Sequence, residues 1–183
     1  MAFIIMEVVT VTDVITWTDV ATAIGALTTA AVVALGLIFA FFQVKSADKA
    51  RDIEALTSRS ERWEDASLVE ARQAVSNIGD ARELWNHLNA LEPGKSGEWF
   101  LFMRIPHFFE DMGIACLQAN ALSKDLVYEL FAPPIELYWG WYRTFMEEYR
   151  KKLEDQRLFE WFETVALEMD RMKQRRAKKT RRR

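Results

Sequence analysis

His107 and Glu110 are the two side chains best spaced for joint chemistry. They stand one helical turn apart, so an imidazole and a carboxylate would share a face and could reach one metal ion. A zinc site wants three or four such ligands, and the only other histidine is His87. Among Pro106 and the neighbouring phenylalanines, His107 therefore reads as a hydrogen-bonded core residue. Gly94, Lys95 and Ser96 echo the end of a phosphate-binding loop, but Asn89 stands where the motif needs its first glycine. A helical pattern also precedes them where the motif needs a strand. No Ser, Thr or Cys has a recognisable nucleophile setting. The single cysteine, Cys116, has no partner for a disulfide within the chain and reads as a small buried hydrophobe. The expectation is a non-enzymatic protein with no catalytic residue, no metal and no cofactor.

Two other clusters suit binding. Tyr138, Trp141 and Tyr142 belong to an aromatic run that would offer a groove if it faced outward. The competing reading is core, because aromatic side chains bury the most area. The second cluster is the basic tail: Arg171, Lys173, Arg175, Arg176, Lys178, Lys179, Arg181, Arg182 and Arg183, with no acid among residues 171–183. Of 24 Lys and Arg, these nine leave 15 to face 27 acids, so the remainder of the chain carries a net charge of −12. Such a tail can bind anionic phospholipid, which attracts polybasic segments near the surface. It can also bind the phosphates of nucleic acid, the less favoured partner here, or fold back on the acidic body.

The elements that would position these clusters begin with a span. Residues 20–44 contain no charged residue, and a helix of roughly 20 apolar residues crosses a hydrocarbon core about 30 Å thick. Lys45 is the first basic residue of the chain, which fits a secretory signal peptide poorly. Lys45, Lys49, Arg51, Arg59 and Arg62 follow the span, whereas only Glu7, Asp13 and Asp19 precede it. The positive-inside rule then places the N-terminus outside and the C-terminus in the cytoplasm. Trp17 on one side, and Phe41, Phe42 and Lys45 on the other, would sit at the two interfaces. Thr22, Ala26, Ala30 and Ala34 recur at spacing four, a stripe of small residues through which two such helices can pack.

The domains expected are a short extracytoplasmic segment (1–19), the span (20–44), a juxtamembrane helical stalk (45–64), a helical domain (65–170) and the tail (171–183). In the stalk, Ile53, Leu56, Ser60 and Trp63 make a thin seam that suits a stalk or weak coiled coil better than a core helix. Leu68, Ala71, Val75, Ile78, Arg82, Trp85, Leu88 and Leu91 predict one long amphipathic helix, ended by Pro93, Gly94 and Gly97. Residues 98–117 are strongly apolar, and Pro106 should start, kink or break a helix there. Ser123 is placed to cap a short helix that the Pro133–Pro134 pair ends, with a new helix from Ile135 to about Leu153. Leu158, Trp161, Phe162, Val165, Met169 and Met172 predict a last helix. Fold class is accordingly all-α, one transmembrane helix continuing into a cytoplasmic stalk and helical bundle.

The order of parts resembles an uncharacterised family of bacterial and prophage single-pass membrane proteins. The shared elements are the span led by Trp17, then Phe108, Phe109, Glu110 and Gly113, then Leu126 to Phe131 and Tyr138 to Arg143. The resemblance implies a membrane-tethered helical module and supplies no catalytic residues. The function expected is docking of a cytoplasmic protein partner, or self-association as a homo-oligomer, at the cytoplasmic face of the bacterial inner (plasma) membrane. The alternative is an oligomerising effector of phage–bacterium conflict that perturbs the bilayer. Only Thr22, Thr28 and Thr29 could line a pore in it, which counts against a conducting channel.

Overall fold

The computed structural model describes residues 17–181, without the side chains of residues 17–21, 23, 24, 26, 27, 31 and 48. The expectations placed on the side chains of Trp17 and Ala26, and on Arg182 and Arg183, fall outside the described part. The fold is all-α: α1 (Trp17–Trp63), α2 (Ala66–Ile78), α3 (Ala81–Ala90), α4 (Gly97–Gly113), α5 (Lys124–Leu153) and α6 (Glu160–Thr180), with a π-helical turn at Ile114–Gln118. The chain divides into two compact units, residues 1–48 and 49–183, and α1 crosses the division.

In the first unit, the large apolar side chains from Val32 to Val44 are all exposed, with Leu35 at 66% and Leu37 at 68%. One helix is thus long and apolar enough to span a membrane.

The second unit is organised around α4, which packs against α2, α5 and α6, while α3 packs on α5. The end of α1 is part of this core. Leu56 is buried, and the Trp63 ring lies 5.0 Å from Phe108 and 5.3 Å from Phe109. The thin seam foreseen for a stalk is therefore a packed helix end from Leu56 to Trp63. Arg72 covers the outer face of the Trp63 ring at 4.5 Å, a cation–π contact.

Two helix boundaries differ from the periodicity. The long helix foreseen over 68–91 is two, because Gly79 adopts φ 100° and the Asp80 carboxylate accepts the N–H groups of Arg82 and Glu83, both at 2.8 Å. A positive φ that glycine tolerates, followed by a strong N-cap, restarts the helix. The buried stripe changes register there, from Leu68, Ala71 and Val75 to Leu84 and Leu88, with Arg82 exposed.

Pro106 lies inside α4. Its missing N–H orphans the Phe102 carbonyl, and the Tyr142 hydroxyl donates to that oxygen at 2.7 Å within the core. The second difference is α5, which runs through Pro133 and Pro134 as one helix where two were expected. The carbonyls these prolines leave unpaired belong to Glu129 and Leu130, both exposed, so water can take them while Phe131 and Ile135 bury the other face. Ser123 does occupy the N-cap of α5, but its side chain makes no capping bond.

Candidate functional site

The Phe108–Gly113 segment is a seam between α4 and α6. Phe109 stacks on Phe162, ring centres 5.1 Å apart and planes 20° from parallel. Gly113 meets the backbone of Trp161 so closely that a Cβ there would stand 2.3 Å from the carbonyl oxygen. The N-cap residue of α6, Phe159, is in the left-handed region at φ 56° and offers no capping side chain. Glu110 supplies the cap from another helix, its Oε2 accepting the Phe162 N–H at 2.7 Å. Burial holds the Glu110 carboxyl above its ordinary pKa, although backbone N–H groups of Phe162 and Trp161 oppose the shift.

His107 is exposed and not the core residue that the sequence suggested, because Phe108 and Phe109 take the inner face of α4 and leave its ring 5.0 Å from that of Phe159. Desolvation pushes its pKa down, against the pull of Asp111, and Arg62 pushes the same way. His107 and Glu110 thus both lie against the start of α6. Among the described residues no three His, Cys, Asp or Glu side chains are grouped to hold a metal.

Arg150 fastens the turn between α5 and α6. It is 7% exposed, and its guanidinium donates to the carbonyls of Leu158 at 2.6 Å and Phe159 at 2.9 Å and pairs with Glu163. Sequence reasoning passed over it, because a basic residue beside Lys151 and Lys152 looks like an ordinary charged helix end. Cys116 is buried, and desolvation lifts its thiol to about 11, far from nucleophilic at neutral pH. Gly94 and Lys95 form a turn, Gly94 at φ 73° and Lys95 paired with Glu92 at 3.1 Å.

Tyr138, Trp141 and Tyr142 do not line a common groove. Tyr142 is fully buried, and Tyr138 is half-buried against Trp63 and Phe109. Trp141 is half-buried and packs against the core. Leu130 (55% exposed), Pro133 and Leu137 (54% exposed) stay outside it. They recur at i, i+3 and i+7, a short uncharged stripe on the exposed side of α5. The signal for it was in the sequence, since α5 carries two apolar stripes. Treating the prolines as a break hid the second one.

The tail is the C-terminal half of α6. Lys173 pairs with Glu136, and Arg176 pairs with Asp125 and Glu129 while covering the Tyr128 ring at 4.2 Å. Arg171 has only Glu168, 3.5 Å away on its own helix. Arg175, Lys178, Lys179 and Arg181 are exposed, with no ion pair among the described residues. In α1, Thr22, Ala30, Ala34, Phe41, Phe42 and Lys45 are all exposed.

Residues 30–169 match a family profile described as a domain of unknown function, DUF4760. No curated protein and no solved structure matches the chain.

Proposed function

Since this chain belongs to the DUF4760 family, which lends it no activity, we propose from its own surfaces that it is a membrane-anchored, non-enzymatic assembly and docking module. The observation that carries the reading is the exposed apolar run of α1 from Val32 to Val44. So much contiguous apolar surface is stable in lipid and a liability in water. The basic residues after the run and the acids before it support a C-terminus in the cytoplasm of the plasma membrane.

Docking is supported by the outer stripe of α5, which offers Leu130, Pro133 and Leu137 without a charge among them. The small residues of α1, Ala30 and Ala34, offer a second packing surface in the bilayer.

The test uses full-length protein expressed in membranes. Wild type is expected to resist alkaline extraction and, in mild detergent, to migrate as an oligomer or with a bound partner. L130D/L137D should remain anchored and fall to monomer mass if α5 is the docking surface. A30I/A34I should do so instead if α1 is. Extraction by alkali would sink the anchor, and a monomeric wild type would sink the assembly.

A further inference from the structure

We infer that the C-terminal half of α6 is a two-faced basic helix, whose inner cations fasten it to α5 and whose outer cations bind an anionic phospholipid surface. The inference rests on the membrane anchoring proposed above. The core stripe of α6 runs through Phe162, Val165 and Met169, all buried, and the same face continues into Lys173 and Arg176. There, the partners change from apolar side chains to the carboxylates of Asp125, Glu129 and Glu136 on α5. The hydrogen bonds and charges of these carboxylates raise the pKa of Lys173 and of Arg176, so both are fully charged and already neutralised by neighbours.

The opposite face follows a different course. It carries the exposed Thr164 between the half-buried Glu160 and Glu168, then turns basic at the exposed Arg171, Arg175 and Lys178, positions i, i+4 and i+7 of one stripe. Lys179 borders that stripe and Arg181 follows in the next turn. Arg175, Lys178, Lys179 and Arg181 are exposed and without ion pairs among the described residues. Their charge is the part of the tail available to an outside partner. Each such cation near an anionic bilayer raises partitioning about fivefold.

Phospholipid is favoured over nucleic acid by what the free cations lack. Single-stranded nucleic acid is held by aromatic side chains that stack its bases as well as by charge. The ring that packs against a tail cation, Tyr128, already lies under Arg176. A headgroup surface needs only charge and chain tethering to it, which the anchor supplies.

The test is limited trypsin cleavage of the full-length chain reconstituted into vesicles, read by mass spectrometry at the individual basic residues. With about 30% phosphatidylserine, cleavage after Arg175, Lys178 and Lys179 should slow about tenfold relative to phosphatidylcholine alone, and high salt should remove the difference. Cleavage after Lys151 and Lys152, exposed at the end of α5 and outside the tail, should be the same in both lipids. K178Q/K179Q should lose most of the protection at Arg175. Equal cleavage in the two lipids overturns the proposal, as does protection by an added oligonucleotide without protection by phosphatidylserine. Failure to incorporate into phosphatidylcholine vesicles would overturn the anchor instead. Slower cleavage on adding phosphatidylserine vesicles would still support the lipid-binding face in that event.

Discussion

Two segments of this chain are rich in Phe, Leu and Ile and end in opposite situations. The apolar run of α1 is exposed from Val32 to Val44, whereas α4 is the buried centre of the second unit. Apolar content does not separate them. What differs is polar residues placed where they can be satisfied. In α4, Arg104 donates to the Ser67 carbonyl at 3.1 Å, Asp111 pairs with Arg62 at 3.0 Å, and Glu110 caps α6. Residues 20–44 have no charge with which to orient against other helices in water. The charged residues of α4 thus each have a partner in the fold, whereas the charge-free run of α1 is long and apolar enough to span a membrane.

The comparison breaks first if α1 tolerates charge. V32R/L35R should lose about 5 kcal/mol of insertion free energy, read as loss of the alkali-resistant membrane fraction, while the tryptophan-monitored melting of the helical domain stays put. Full retention in the membrane fraction would show that these positions do not face lipid.

A sterically matched pair sharpens the contrast. G113V drives a side chain into the Trp161 backbone and should cost about 2–3 kcal/mol in thermal melts. G36V, whose Cβ would meet nothing within 4 Å, should leave the melt unchanged. Equal effects would mean that the α4–α6 seam is looser than its geometry.

The smallest effect concerns Glu110. E110A removes the cap on α6 and should cost about 1 kcal/mol, E110Q less because an amide oxygen still accepts the Phe162 N–H. Burial raises the folded-state pKa of Glu110, so the folded chain holds that proton more tightly than the unfolded chain. The stability due to it is complete in acid and declines as pH rises through the upper carboxylate range, and E110Q should flatten that part of the stability curve. An identical pH profile in E110Q would remove Glu110 from the account.

Much of the fold was legible in particular residues. The absence of strand-like alternation after Lys45 pointed to helices, and the stripe Leu158, Phe162, Val165 and Met169 located α6. The Gly79–Asp80 break was readable too, since a glycine before a good N-cap residue is a stop followed by a start. The candidate surfaces were less legible. Phe108, Phe109, Glu110 and Gly113 stand out as a motif, yet their partner is the start of α6, about 50 residues on, with Glu110 and Phe162 separated by 52. Nothing local distinguishes an acid that caps a distant helix from one that binds a metal.

The sequence by itself determined the charge-free span, the charge asymmetry across it, the helical class and the basic end, because each is a one-dimensional property of composition or period. Tertiary structure decided which cations of α6 are neutralised by α5, that α4 and α5 continue through their prolines, and that Tyr142 is core. Those outcomes depend on where hydrogen-bond and ion-pair partners arrive in space. The oxygen that Pro106 leaves open is filled by a hydroxyl 40 residues away, and only a folded chain brings the two together.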